Sequence, residues 1–235
     1  MRAWDIASAS ITTVLRGGLG MRVAQVGPRP TKALQIYEFE GCPFCRKVRE
    51  ALTMLDLEVD IHPCPKGGER FREVLLELGG KAQFPYLVDP NTEAALYESG
   101  DIVDYLFTHY GEGEAPAALR GGPLATLAVV ASGIGRGAAG SFARPSKAPE
   151  KPLELYSFEA SPFCRLVREV LCELELPYRL HNVAKGSQRR RDFRKHAAKI
   201  QVPFLIDPNT DIEMFESADI IAYLEATYAS PATGD

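Results

Sequence analysis

Along Leu34-Gln35-Ile36-Tyr37-Glu38-Phe39 apolar and polar positions alternate, and Gly41 closes the run, which predicts a strand over residues 34–39. From Pro43 the period changes. Cys45, Val48, Leu52 and Leu55 recur at spacings of 3, 4 and 3, the stripe of an amphipathic helix. Residues 57–61 predict a second strand and 69–78 a second helix, while 86–88 and 94–97 flank Asp89-Pro90-Asn91-Thr92, a hairpin signal. Ser99 is placed to cap a helix over 101–109 that carries acids in its first turn. The predicted order is β-α-β-α-β-β-α, a layered α/β unit.

The same pattern then returns. Residues 34–60 match 153–179 at 14 of 27 positions with an offset of 119, and 85–106 match 203–224 at 12 of 22 with an offset of 118. The second helix stripe is Cys164, Val167, Leu171 and Leu174. The chain is an internal duplication. Gly18-Leu19-Gly20 with Arg29-Pro30 also answers to Gly133-Ile134-Gly135 with Arg144-Pro145 at an offset of 115. Each unit is therefore expected to open with a short helical lead-in, over 8–26 and 124–142, and Pro, Gly and Lys between 141 and 152 mark a linker. The expected organisation is lead-in 1–33, unit 34–112, lead-in and linker 113–152, and unit 153–230.

Composition narrows the picture. Of the 235 residues, 46% are hydrophobic and 25% charged, as in ordinary globular domains, and a net charge of −4 gives no reason to expect nucleic acid or an anionic membrane as partner. Residues 1–24 hold three arginines and one acid, loosely like an organelle address, but recurrence of the lead-in mid-chain argues against a cleaved segment. The most apolar stretch, 124–135, falls short of the ~20 residues a membrane span needs. Five cysteines, an odd and sparse set, do not form a secreted disulfide framework, so the expectation is cytoplasmic, or organelle stroma in a photosynthetic source. Nothing in the sequence signals an oligomeric state.

The chemistry concentrates on Cys42-Pro43-Phe44-Cys45. Cys42 precedes a helix start whose free N–H groups and dipole favour an anion, and Pro43 suits the first helical position because it has no N–H to leave unpaired. Arg46 and Arg49 are expected to add positive charge at the same end. Cys45 lies on the buried stripe, as packing and as a partner thiol. A zinc half-site is weakly supported, since there is no second Cys pair or His pair, and no metal is expected. The second unit has Ser161 in place of Cys42, and Cys164 is expected to be packing only. Cys172 is read as incidental and Cys64 as a strand-end core residue, with a third redox thiol as the alternative. Lys66 and Lys185 read as solvated turn residues, and Arg189–Arg191 with Arg194 and Lys195 as a solvated helix face.

The element order with Cys-Pro-Phe-Cys at the first strand-to-helix junction resembles the thioredoxin fold of glutaredoxins and glutathione-transferase N-terminal domains. Gln83-Phe84-Pro85 stands where that family places a cis-proline, and Glu98-Ser99 where it binds the γ-glutamyl carboxylate of glutathione. Gln201-Val202-Pro203 and Glu216-Ser217 occupy the same places in the second unit. The fold implied is two tandem thioredoxin-like units with no all-helical transferase C-terminal domain, which puts conjugation of bulky electrophiles in doubt. The resemblance implies glutathione as co-substrate, held by Phe44, Phe84, Pro85, Glu98 and Ser99, with Cys42 and Cys45 catalytic. It implies a possible second site at Ser161, Val202, Pro203, Glu216 and Ser217. The leading expectation is a glutathione-linked oxidoreductase acting on disulfide or glutathionylated substrates. The alternatives are a transferase or isomerase, a non-catalytic scaffold, and a bridging iron–sulfur cluster held by Cys42 and glutathione.

Overall fold

The computed structural model describes residues 3–120 and 136–231. Helix α1 (Ala3–Leu15) comes first. Unit 1 follows as β1 (Leu34–Glu38), α2 (Pro43–Met54), β2 (Val59–Pro63), α3 (Arg72–Gly79), β3 (Tyr86–Asp89), β4 (Ala94–Leu96) and α4 (Ser99–Tyr110). Unit 2 is β5 (Leu153–Ser157), α5 (Pro162–Glu173), β6 (Tyr178–Asn182), α6 (Arg190–Ala197), β7 (Phe204–Asp207), β8 (Ile212–Phe215) and α7 (Ser217–Tyr228). This is the α/β architecture of two tandem thioredoxin-like units.

The two units share one sheet, in the order β4-β3-β1-β2-β6-β5-β7-β8. Within a unit β1 and β2 run parallel and β3 antiparallel to β1. The seam is the antiparallel pair β2–β6, with Val59 opposite Leu180, Asp60 opposite Arg179 and Ile61 opposite Tyr178. Residue 60 answers to 179 in the repeat, and 59 and 61 to 178 and 180, so the register is symmetric about the Asp60–Arg179 pair. An approximate twofold axis passes there. Arg179 seals the point with Nε 2.7 Å from the Asp60 carboxylate.

One apolar core runs under both units. Leu34, Ile36, Val48, Leu52 and Leu55 join Leu153, Leu155, Val167, Leu171 and Leu174 in a single buried cluster. Each such side chain contributes ~1.5–3 kcal/mol relative to exposure. At the far end of each unit a buried aspartate pins the hairpin: Asp89 accepts from Tyr105 and Tyr110, and Asp207 from Tyr223 and Tyr228.

Several boundaries differ from the sequence pattern, each for a local reason. Helix α3 starts at Arg72, not at 69, because the amides of Glu69 and Arg70 are taken by the Glu175 carboxylate of unit 2. Asp56 of unit 1 does the same for the amide of Gln188. Ser99 does not cap α4. It is the first helical residue, and Glu98 stands before it at φ 63° without a capping side-chain bond.

The lead-in also differs. Helix α1 packs against α5 of unit 2 and ends at Leu15, after which the chain turns and runs on without helix. Gly20 O accepts from Ala160 N at 3.2 Å, and Met21 and Val23 bond the backbone of Lys185, all in unit 2. Only then does the chain reach unit 1, where Ala24 N donates to Met54 O. The stretch after 135 mirrors this in reverse. Gly140 O accepts from Gly41 N at 3.1 Å, Ser141 and Ala143 bond the backbone of Lys66, and Arg144 N then donates to Glu173 O in unit 2. The two straps are exchanged: each lies across the unit other than the one it then joins.

These bonds align Gly20 with Gly140, an offset of 120 residues, and they match Arg16-Gly17 to Arg136-Gly137. The offset of 115 is corrected accordingly: Ala24, not Arg29, is the counterpart of Arg144. Gly133–Gly135, and the lead-in helix expected over 124–142 as far as 135, lie outside the described residues. Gly20 and Gly140 are required as glycines. Both have positive φ (+76° and +69°), and a Cβ on either would come within 2.8 Å of Glu159 Cβ or Glu40 Cβ.

Candidate functional site

The Cys-Pro-Phe-Cys segment sits where β1 ends and α2 begins. Cys42 is the N-cap of α2, with extended backbone, and its Sγ accepts from Cys45 N at 3.3 Å. Pro43 takes the first turn, where a missing N–H costs nothing. The Cys42 thiol is shifted toward ionisation, chiefly by the hydrogen bond from the Cys45 side chain and also by the amides of Cys45 and Phe44, against its burial and the charge of Glu38. The other four cysteines move the opposite way. Burial pushes the thiols of Cys45, Cys64, Cys164 and Cys172 up. All five are free thiols.

Cys42 is only 5% exposed. The strap from residue 140 lies against the neighbouring Gly41: Gly140 O accepts from its amide, and Ser141 Oγ would stand 2.0 Å from a Cβ there. Phe142 follows on the strap, half-exposed, with Lys66 Nζ 5.7 Å from its ring centroid. The Lys66 and Lys185 side chains are exposed as expected, while their backbones are the docking points for the straps.

Around Cys42 the expected glutathione-binding residues fall as follows. Phe44 is 41% exposed at the first turn of α2. The Phe84–Pro85 peptide is cis, as is Val202–Pro203. Phe84 meets Phe39 edge-on at 5.8 Å, and the Arg72 guanidinium lies over its face at 4.8 Å. Glu98 accepts from Gln83 Nε2 and introduces α4, whose first amides have no acceptor within the helix. Ser99 is buried there.

Unit 2 repeats the geometry without the thiol. Ser161 is the N-cap of α5, its Oγ accepts from Cys164 N at 3.3 Å, and it is 6% exposed. Glu216 accepts from Gln201, and Ser217 opens α7. Arg22 lies where unit 1 has Phe142, in a parallel bridge with Lys185. Cys64 is indeed a strand-end core residue, buried with Tyr37, Leu75 and Tyr86.

The expectation that Arg46 and Arg49 serve the thiol is overturned. Both are buried and aimed at carboxylates at the junction of the units. Arg46 Nε lies 3.2 Å from Glu50, and Arg49 reaches Glu38, Glu40 and, at 3.0 Å, Glu159. Arg165 is likewise 3.1 Å from Glu169, and Arg168 binds Glu40 and Glu159. Arg16 and Arg136 close the two ends on Glu50 and Glu169. Arg189, read as part of a solvated face, also crosses the seam, donating to Asp56 O and pairing with Glu58 at 2.9 Å.

This ionic cluster was missed because the polar face of an amphipathic helix looks like a solvent face. The usable signal was its repetition: Glu40, Arg46, Arg49 and Glu50 recur as Glu159, Arg165, Arg168 and Glu169. Among the described residues no group of three or more His, Cys, Asp or Glu side chains is arranged to hold a metal ion, and no helix is long and apolar enough to cross a membrane.

Comparison with known proteins finds one domain family in both units. The model of the glutathione S-transferase N-terminal domain matches residues 36–114 and again 155–232. A glutathione S-transferase-like protein, tpcF, of Aspergillus fumigatus is 30% identical over 78 residues, 33% of this chain and 34% of that protein. The chain thus aligns with about a third of the length of that curated relative. Among solved structures, the Bombyx mori glutathione transferase BmGSTD1 is similar over 36% of this chain and 39% of its own, at 24% identity and a TM-score of 0.33. The Leishmania glutathione transferase TDR1, described as trimeric, aligns over 87% of this chain and 70% of its own, at 13% identity and a TM-score of 0.32. With the domain model matched twice over most of its length, the chain belongs to the glutathione S-transferase N-terminal domain family.

Proposed function

We propose that the protein is a glutathione-linked thiol–disulfide oxidoreductase working through Cys42. The observation that carries this reading is the opposed acidity of the thiols: Cys42, at the N-cap, is shifted toward thiolate, while Cys45 and the other three are held protonated. A thiolate is the attacking species in disulfide exchange, and a protonated neighbour is kept in reserve. Cys42 Sγ attacks a disulfide or glutathionylated substrate and expels one thiolate. Cys45, or a second glutathione, then attacks the mixed disulfide and frees Cys42. The cis-proline loop at Phe84–Pro85 and the free amides at the start of α4 fit the peptide and the γ-glutamyl carboxylate of glutathione.

The burial of Cys42 favours a second reading, in which the two units form a glutathione-binding scaffold without turnover. Reduction of a glutathionylated peptide by the whole protein, with Cys42→Ser as control, separates the two. Turnover that vanishes in Cys42→Ser supports the oxidoreductase; glutathione binding without turnover supports the scaffold. Conjugation of an electrophile to glutathione in the same preparation would point to a transferase.

A further inference from the structure

Helices α3 and α6 are counterparts that face solvent with opposite charge. Both are eight residues long, start at an arginine and end before a left-handed residue, Gly80 (φ 76°) and Ala198 (φ 60°). Arg72 therefore answers to Arg190, with the offset of 118 that also aligns 85–106 with 203–224. Each helix anchors one apolar side chain on the sheet. Leu75 is buried with Tyr37 and Tyr86, and Phe193 with Phe204, its ring stacked on Tyr156 at 4.6 Å. At about 3.6 residues per turn, the positions pointing away from these anchors are 73 and 77 in α3 and 191 and 195 in α6. The outer ridge of α3 is thus Glu73 and Glu77, and that of α6 is Arg191 and Lys195, all exposed.

The flanks differ in the same sense. Leu76 and Leu78, 46% and 55% exposed, answer to Arg194 and His196. Arg72 does not offset the acidic ridge, because its guanidinium is turned to the carbonyls of Pro65 and Cys64 and to the face of Phe84. On α6, Asp192 pairs with Lys195 at 3.0 Å and Arg191 at 3.7 Å, and His196 with Glu213 of β8 at 3.0 Å. A single carboxylate against Arg190, Arg191, Arg194 and Lys195 leaves this helix positive.

The two helices also share one side of the sheet. Residues paired across strands point to the same face, as do residues two apart along a strand. Tyr37 pairs with His62, Tyr156 with His181, and Asp60 with Arg179 across the seam, so Tyr37 under α3 and Tyr156 under α6 lie on one face. The strip between them is polar and open, with Asp60 26% and Arg179 47% exposed. One face of the molecule therefore carries an acidic ridge in its first half and a basic ridge, at the symmetry-related place, in its second.

We propose that this face is a self-association surface, on which the α3 ridge of one copy meets the α6 ridge of a second copy of this chain. A twofold axis that sets α3 of one copy on α6 of the other also sets α6 of the first on α3 of the second, so the contact is made twice and the assembly closes at two copies. Pairing of α3 with α3, or of α6 with α6, brings like charges together and is disfavoured, which fixes the arrangement. The aliphatic stems of Arg194 and Lys195 supply apolar cover for Leu76 and Leu78. A polyanion fits this face less well than a second copy does, because half of the face is acidic.

The test is the mass of the whole protein in solution, followed by sedimentation over a range of concentration and salt. Wild type is expected to approach twice the mass of the chain at high concentration in low salt, and to return to the single-chain mass toward about 0.5 M salt, where exposed charges are screened. Glu73→Lys with Glu77→Lys makes both ridges basic, and Arg191→Glu with Lys195→Glu makes both acidic. Each double variant alone should dissociate at least about tenfold more readily than wild type. Mixed one to one, the two should form a heterodimer, since both contacts then join opposite charges. Exposed positions tolerate such changes, so the circular dichroism of both variants should match wild type. A wild type that keeps the single-chain mass throughout overturns the proposal, as does a dimer that neither variant weakens or a mixture that stays monomeric. A wild-type monomer that binds heparin, with binding lost in Arg191→Glu with Lys195→Glu, overturns it as well and assigns the basic ridge to a polyanion. Each of these outcomes leaves the reading of Cys42 untouched.

Discussion

The Arg168 guanidinium donates to both carboxylate oxygens of Glu40, at 3.0 Å each, although the two residues belong to different units. Its mate Arg49 makes the reciprocal bond to Glu159. A buried ion pair of this kind stabilises little when whole but costs heavily when halved, because the remaining charge has no water to turn to. Glu40→Gln should therefore destabilise the whole chain by ~3–5 kcal/mol in urea unfolding. Both units should unfold together, since the pair joins them. Separate transitions for the two units would contradict this.

Cys42 and Cys164 should part company in function. Cys42→Ser is expected to abolish disulfide reduction with little effect on stability, since Ser161 occupies the same N-cap geometry in unit 2. Cys164→Ser should leave reduction intact and lower stability by ~1–3 kcal/mol, because it buries a hydroxyl in a site with no exposure. Paired activity and urea measurements on the two variants check this.

Ser161→Cys is expected to create a second glutathionylation site with a reactivity close to that of Cys42. The two N-caps have nearly the same backbone angles, φ −75° and −76°, and almost equal exposure, and a strap carbonyl accepts from the amide just before each, at Gly41 and Ala160. Arg165 gives no help, being turned toward Glu40 and Glu169. Counting glutathione adducts by intact mass decides it: two adducts support the equivalence, and one shows that Arg22 and its strap close the second site.

Stability should be highest on the acid side of neutrality. Glu159 is fully buried and held down to about 2 against the pull of burial by Arg168, Arg49 and Arg46, so its contribution is complete above the unfolded carboxylate value and is lost as pH falls through about 2. Glu38 has the opposite sign. Its folded value is raised to about 7, so the stability it contributes at low pH is lost as pH rises from about 4.5 through 7. Urea midpoints for wild type should fall between pH 5 and pH 8, and Glu38→Gln should remove most of that fall.

The parts of the fold visible in the sequence were those governed by local rules. The Cys42 N-cap, the stripe Cys45–Val48–Leu52–Leu55 and the Asp89-Pro90-Asn91-Thr92 turn depend on near neighbours and stand as read. The cis peptides before Pro85 and Pro203 followed from family resemblance and are present. What was hidden depends on the partner unit. Arg46 and Arg49 occupy the polar face of α2, and only the presence of unit 2 makes that face interior. The straps were hidden for a different reason: short glycine matches at Gly18 and Gly133 suggested one alignment, while the backbone bonds of Gly20 and Gly140 establish another.

The exchanged straps also determine how the halves are coupled. A single peptide cut within 121–135 would leave two fragments, each still gripping the other by an arm, by the β2–β6 seam and by the crossed arginines. Such a nicked molecule would run as a noncovalent complex and come apart only on unfolding. The same geometry in an unduplicated protein would be an arm-exchanged homodimer about a true twofold axis. Joining its two copies in one chain permits each copy to vary separately, so the half carrying Ser157 and Ser161 can differ at those positions and still supply the arm, the seam and the counter-charges that the other half packs against.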